Sequence, residues 1–124
     1  MSKKVIVVDD SRTARQQVRS ALQTSGYEIV EAIDGLDGIV KIDANRDASL
    51  VLCDLNMPNM NGIEMVEQAR RGGNHADVTF IMLTTDSEPA LVQRAKECGA
   101  KGWIVKPFKP ELLLAAVRKL VGDA

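Results

Sequence analysis

Apolar residues along this chain fall into short unbroken runs separated by stretches with helical spacing. Lys4 to Val8 is rich in valine and is followed at once by Asp9, Asp10 and Ser11. Ala14, Val18, Ala21 and Leu22 then recur at the spacing of one helix face. Ser11 or Asp10 can cap that helix, and Gly26 supplies the left-handed residue that ends it. Tyr27 to Ala32 alternates apolar and polar positions, which predicts a less buried strand near a sheet edge. The next helix, over roughly Leu36 to Asn45, has a weaker pattern and an internal Gly38 that costs about 1 kcal/mol relative to Ala. Leu50 to Cys53 is apolar without alternation, as in a strand covered on both faces, and Asp54 stands where it ends.

The residues after Asp54, with Pro58, Asn59, Asn61 and Gly62, have turn chemistry, and a helix marked by Ile63, Met65, Val66 and Ala69 follows and stops near Gly72 and Gly73. Val78 to Leu83 is another apolar strand, ending in Thr84, Thr85 and Asp86. Ser87 can cap a helix with Pro89 in its first turn, a stripe of Leu91, Val92, Ala95 and Cys98, and Gly99 as its stop. Trp103 to Val105 forms a fifth strand broken by Lys106 and Pro107. Pro110 opens a last helix with Leu113, Ala116, Val117 and Leu120 facing inward and Leu112 and Leu114 flanking them, partly exposed. Five strands alternating with five helices, each crossover long enough to be helical, imply an α/β fold with a parallel sheet covered on both faces.

Composition narrows the function. At 124 residues, 45% hydrophobic and 27% charged, the chain has the size and profile of one soluble domain, residues 1–124. A net charge of −1 offers no field for nucleic acid, and no apolar run is long enough for a membrane span or a signal peptide, so the expected compartment is the cytoplasm. Cys53 and Cys98 lack CxxC spacing and read as buried free thiols. His75 lies in a polar loop and reads as a solvated residue. Arg12, Arg15 and Arg19 form a basic stripe at helical spacing, read as a solvated face with docking of an acidic partner kept open. The turn after the first strand reads DDSRTA, without the glycines that cradle phosphates, which disfavours nucleotide binding.

Four of the five strands end in a chemically capable group: Asp9 with Asp10, Asp54, Thr84 with Thr85, and Lys106. Parallel strands bring these ends to one edge, where open α/β sheets bind ligands. An acid at such a tip can be a metal ligand, a general base, a nucleophile or a plain helix cap. Three carboxylates together repel one another unless a cation sits among them. With only oxygen ligands on offer, Mg²⁺ holding several waters is favoured over zinc or copper. Lys106 adds a further positive charge, and the site would tolerate an added phosphoryl group held by the metal, Lys106 and a Thr hydroxyl. Asp54 therefore reads as a phosphoryl-accepting aspartate.

Taken together, Asp9-Asp10, Asp54 in DLNMPNMNG, Thr84 and Lys106-Pro107-Phe108 resemble the receiver domain of two-component response regulators, over the whole chain. The resemblance implies a flavodoxin-like, doubly wound sheet in the order 2-1-3-4-5 and a stand-alone, monomeric receiver with no output domain following. It implies that Asp54 takes a phosphoryl group from a phosphohistidine of a sensor histidine kinase. By the same resemblance Asp10 and Asp54 hold Mg²⁺ with the Asn56 carbonyl, Asp9 acts through water, and Thr84 and Lys106 grip the phosphoryl oxygens. Asn56 and Asp86 would influence the water that hydrolyses the acyl phosphate. Thr85 is bulkier than the Ala, Gly or Ser usual after this Thr and would restrict small phosphodonors, and Trp103 occupies the switch position that usually holds Tyr or Phe.

The implied activity is signalling in chemotaxis or a related phosphorelay, with autophosphorylation and autodephosphorylation but no dedicated enzyme activity. The downstream target is a protein such as a motor switch component, a pilus system being an alternative. Two readings compete: a phosphatase of the haloacid dehalogenase type, whose first-strand acids are spaced DxD rather than adjacent, and a phosphorylation-independent module or phosphate sink of the same fold.

Overall fold

Among the residues that the computed structural model describes, 3–57, 60–71, 78–85 and 89–124, five strands alternate with five helices. In chain order these are β1 (Lys4–Val8), α1 (Arg12–Gln23), β2 (Glu28–Ala32), α2 (Gly35–Ala44), β3 (Leu50–Asp54), α3 (Gly62–Arg71), β4 (Thr79–Thr84), α4 (Pro89–Glu97), β5 (Gly102–Val105) and α5 (Pro110–Val121). All strand pairs are parallel, in the order β2-β1-β3-β4-β5. That is the order implied by the resemblance, and it puts the alternating β2 at one edge as expected. Pro58, Asn59, Gly72, Gly73, His75, Asp86 and Ser87 lie outside the described residues, as do the side chains of Leu91 and Val92.

Alternation along the central strands builds two cores. Ile6, Val8, Val51, Cys53, Phe80 and Met82 pack against α2, α3 and α4, while Val5, Val7, Leu50, Leu52, Ile81 and Leu83 pack against α1 and α5. Every residue of β3 is buried, which is why its sequence shows no polar alternation. The α1 stripe is as expected, with Ala14, Val18, Ala21 and Leu22 all buried, Ser11 accepting the Ala14 N–H at 3.2 Å, and Gly26 following at φ 95°. Cys53 and Cys98 are free thiols, the first buried and the second half-buried. No helix among the described residues is long and apolar enough to cross a membrane.

Two expectations need correction or explanation. In α5, Leu113 and Val117 are fully buried, but Ala116 is half-buried and Leu120 is 37% exposed, so the inward stripe is narrower than its spacing suggests. The reason is the floor beneath it: Leu120 lies over Gly102 at the start of the edge strand, which offers no side chain to cover it. Leu112, by contrast, is exposed as expected. In α2, Gly38 is a packing requirement: a Cβ there would stand 2.6 Å from the Met65 sulfur and 3.0 Å from a Val8 methyl. The absent side chain lets α2 lie close against both α3 and β1. Asp34 and Asp37 restore the helix start, Asp34 accepting the Asp37 N–H at 2.8 Å and Asp37 accepting the Ile33 N–H at 3.0 Å.

Candidate functional site

The register of the sheet brings the acids together. Val8 of β1 is level with Cys53 of β3, so the next residues, Asp9 and Asp54, leave the two central strands side by side. Gly62 allows α3 to begin against this strand end: a Cβ there would lie 2.6 Å from the Asp54 carbonyl oxygen. Carboxylate oxygens of Asp9, Asp10 and Asp54 lie within 4.8 Å of one another. Asp9 is fully buried, Asp54 is 7% exposed and Asp10 is exposed.

Lys106 enters this cluster from the end of β5. Thr84 pairs with Val105, and the Lys106 N–H then donates to the Thr84 carbonyl at 2.7 Å, which aims the ammonium back across the strand ends. Its Nζ lies 2.5 Å from Asp9 Oδ2 and 3.6 Å from Asp54 Oδ1. The other Asp9 oxygen accepts the Ser11 N–H at 2.9 Å. Thr84 is completely buried at the same edge, and Thr85, the next residue, is exposed.

Burial, followed by the charge of Asp9, pushes the Asp54 carboxyl up from 3.8 to about 6, against the opposing pull of Lys106 and a hydrogen bond from the Asn56 backbone. One ammonium therefore does not balance three crowded acids. The donor set fits a hard divalent ion: it consists of carboxylate oxygens in a half-open cluster, and an added positive charge would relieve the repulsion on Asp54.

Of the residues singled out by sequence, the structure gathers Asp9, Asp10, Asp54, Thr84 and Lys106 at one edge. Asn56, whose side chain is exposed, reaches Asp54 through its backbone, and Trp103 sits upstream on β5, half-buried against the α2–α4 core. Asp86 lies outside the described residues. Of the basic stripe on α1, Arg12 is exposed, as a solvated face requires, but Arg15 and Arg19 are half-buried and engaged. Arg15 and Arg19 both bind Glu31 of β2, Arg15 through Nε at 3.0 Å and Arg19 through Nε at 2.9 Å and Nη2 at 2.7 Å. Arg15 also donates to the Asp9 carbonyl at 2.7 Å. Sequence reasoning missed this link: two arginines one helical turn apart mark a basic face, but their spacing does not say which acid of another element they meet.

The profile of one protein family, the response regulator receiver domain, matches residues 5–118. The chemotaxis protein CheY1 of Helicobacter pylori is 38% identical over 120 residues, 96% of this chain and 97% of that protein. The solved structure of chemotaxis protein CheY4 of Vibrio cholerae superposes with a TM-score of 0.91 at 39% identity, covering 97% of this chain and 99% of that one. A CheX–CheY complex of Borrelia burgdorferi carrying BeF₃ and Mg²⁺ superposes with a TM-score of 0.88 at 27% identity, over 94% of this chain and 87% of that one.

Proposed function

Because the chain belongs to the response regulator receiver domain family and is of the CheY type, we propose that Asp54 accepts a phosphoryl group from a phosphohistidine of a sensor histidine kinase and thereby switches a protein-binding surface. The observation that carries this reading is the cluster of three carboxylates within 4.8 Å, bridged by a single ammonium 2.5 Å from Asp9 and 3.6 Å from Asp54.

An Asp54 oxygen attacks phosphorus, the new O–P bond forms as the N–P bond to the imidazole breaks, and the imidazole nitrogen leaves with the bonding pair. Ionised Asp54 is the competent form, and a cation bound among the acids would favour it by offsetting the burial and the charge of Asp9 that raise its pKa. Lys106 is already within reach of Asp54 and receives one phosphoryl oxygen, and the Thr84 hydroxyl, at the tip of the adjacent strand, receives another. Asp10, Asp54 and the Asn56 carbonyl, with Asp9 acting through water, would hold Mg²⁺. When bound, that ion supplies charge neutralisation at the transferring phosphoryl oxygens. Thr85, exposed beside Thr84, narrows the approach for small phosphodonors.

The reading extends to a cytoplasmic monomer acting in chemotaxis or a related phosphorelay, with a downstream target such as a motor switch component. The Borrelia relative, bound to CheX in the presence of BeF₃ and Mg²⁺, supports a phosphoryl-type state that engages another protein. The test is transfer of labelled phosphate from a phosphorylated kinase in the presence of Mg²⁺. Asp54→Asn should abolish labelling, and labelling of the variant at the wild-type level would overturn the assignment.

A further inference from the structure

The three acids of the cluster are not held alike. Asp9 has its two carboxylate oxygens fixed by Lys106 and the Ser11 N–H. The Asp10 side chain is exposed and makes no hydrogen bond or ion pair among the described residues. Its position must therefore be set through the backbone. β1 ends at Val8, so the Asp9 carbonyl lies beyond the strand. Arg15 Nη1 donates to that carbonyl at 2.7 Å. The peptide unit joining Asp9 to Asp10 is planar, so holding its oxygen also fixes the direction in which the Asp10 backbone departs.

Arg15 is itself immobilised before it makes this contact. Its Nε is engaged by Glu31 Oε1 at 3.0 Å, while Arg19 occupies Glu31 Oε2 with two donors. The Arg15 side chain is 12% exposed, whereas that of Arg19 is 34% exposed. A flat guanidinium can serve a carboxylate and a carbonyl on separate nitrogens, whereas a lysine ammonium at the same place is a point charge on a flexible stem.

We propose that Arg15 is a positioning residue for the acidic site: by clamping the Asp9 carbonyl from the Glu31 anchor, it aims the Asp10 carboxylate at the divalent cation. The assignment rests on the reading of the site given above. Arg19 shares the Glu31 anchor but does not reach the Asp9 carbonyl, so it separates positioning from simple loss of an ion pair.

The experiment is Mg²⁺ titration calorimetry on the full chain for wild type, Arg15→Ala, Arg15→Lys, Arg19→Ala and Asp10→Ala, with circular dichroism melts on each. Removal of an outer-shell support costs metal sites about ten- to a hundredfold in affinity, so both Arg15 variants should weaken Mg²⁺ about tenfold while Arg19→Ala stays within about twofold of wild type. Should Arg15→Ala melt too early to titrate, the milder Arg15→Lys carries the comparison. Mg²⁺ affinity of the Arg15 variants equal to that of Arg19→Ala would overturn the proposal and leave the reading of the site intact. Wild-type protein that fails to bind Mg²⁺, or Asp10→Ala that binds as wild type does, would overturn that reading and the proposal with it.

Discussion

The two flanks of the acidic edge differ in how completely their polar groups are satisfied. On the β2 flank, Glu31, Arg15, Arg19 and the Asp9 carbonyl form a closed set of contacts between 2.7 and 3.0 Å. Glu31 is held below its ordinary value: burial pushes it up, but the hydrogen bonds and charges of Arg19 and Arg15 outweigh that. On the β5 flank, the indole N–H of Trp103 is buried without a hydrogen-bond partner among the described residues, and one ammonium from Lys106 is shared unequally between two acids. A satisfied network has one arrangement, whereas an unmet donor and an underbalanced charge favour any change that supplies what is missing. The β2 flank is therefore built to hold still and the β5 flank to respond.

The largest effect should come from removing the cation that joins the flanks. Lys106→Met leaves Asp9, fully buried, with only the Ser11 N–H. Breaking a buried pair from one side costs about 3 kcal/mol. Urea denaturation at neutral pH should show that loss, and added Mg²⁺ should recover part of it. An unchanged midpoint would mean that Lys106 contributes nothing to the balance of charge.

An effect of opposite sign, and no larger, should follow from Asp54→Asn. The Asp54 pKa is raised from 3.8 to about 6 in the folded state, so its contribution to stability is fully present below about pH 4 and is lost as pH rises through 6. At pH 7.5 in Mg²⁺-free buffer the ionised group weakens the fold, and replacing it with a neutral isostere should stabilise the protein by about 3 kcal/mol, or several degrees in melting temperature. Most of that advantage should be gone at pH 4, where the folded carboxyl is neutral. A gain that persists in full at pH 4 would trace to packing and would remove the evidence for charge crowding.

Why some of this was legible in the sequence and some was not has a physical basis. A strand buried on both faces must be apolar without interruption, so the acids that end β1 and β3 stood out, as did Thr84 and Lys106. Parallel pairing then placed them together without any need to know side-chain geometry. Periodicity read α2 poorly because Leu36 and Val40 are apolar yet 51% and 60% exposed, so its outer face imitates a buried one. It overread α5 because Leu120 matches the helical stripe but projects where the edge strand has only Gly102 beneath it. The Arg15–Glu31 link was hidden for a different reason: it joins a helix face to an edge strand, and charge spacing within one element does not say which residue of another will answer it.

The smallest expected effect leaves stability almost unchanged and tests whether the β5 flank responds at all. Trp103 is level with Met82 of β4 and packs against the α2–α4 core, and the strand that carries it runs directly into Lys106. Any rearrangement that draws Lys106 or Thr84 toward a phosphoryl group pulls on this strand, because the Lys106 N–H is tied to the Thr84 carbonyl at 2.7 Å. A buried donor without a partner costs about 1–3 kcal/mol, so an arrangement that pairs the indole N–H gains on that account alone. In a dense core such a shift takes place between discrete rotamers or not at all. As the only tryptophan, Trp103 reports it without interference. Adding Mg²⁺ and beryllofluoride, a phosphoryl mimic at Asp54, should change the intensity or position of its emission, and Thr84→Ala should reduce that change. If calorimetry confirms binding of the mimic while the emission does not move, Trp103 is a static core residue, and the β5 flank is as fixed as its counterpart across the sheet.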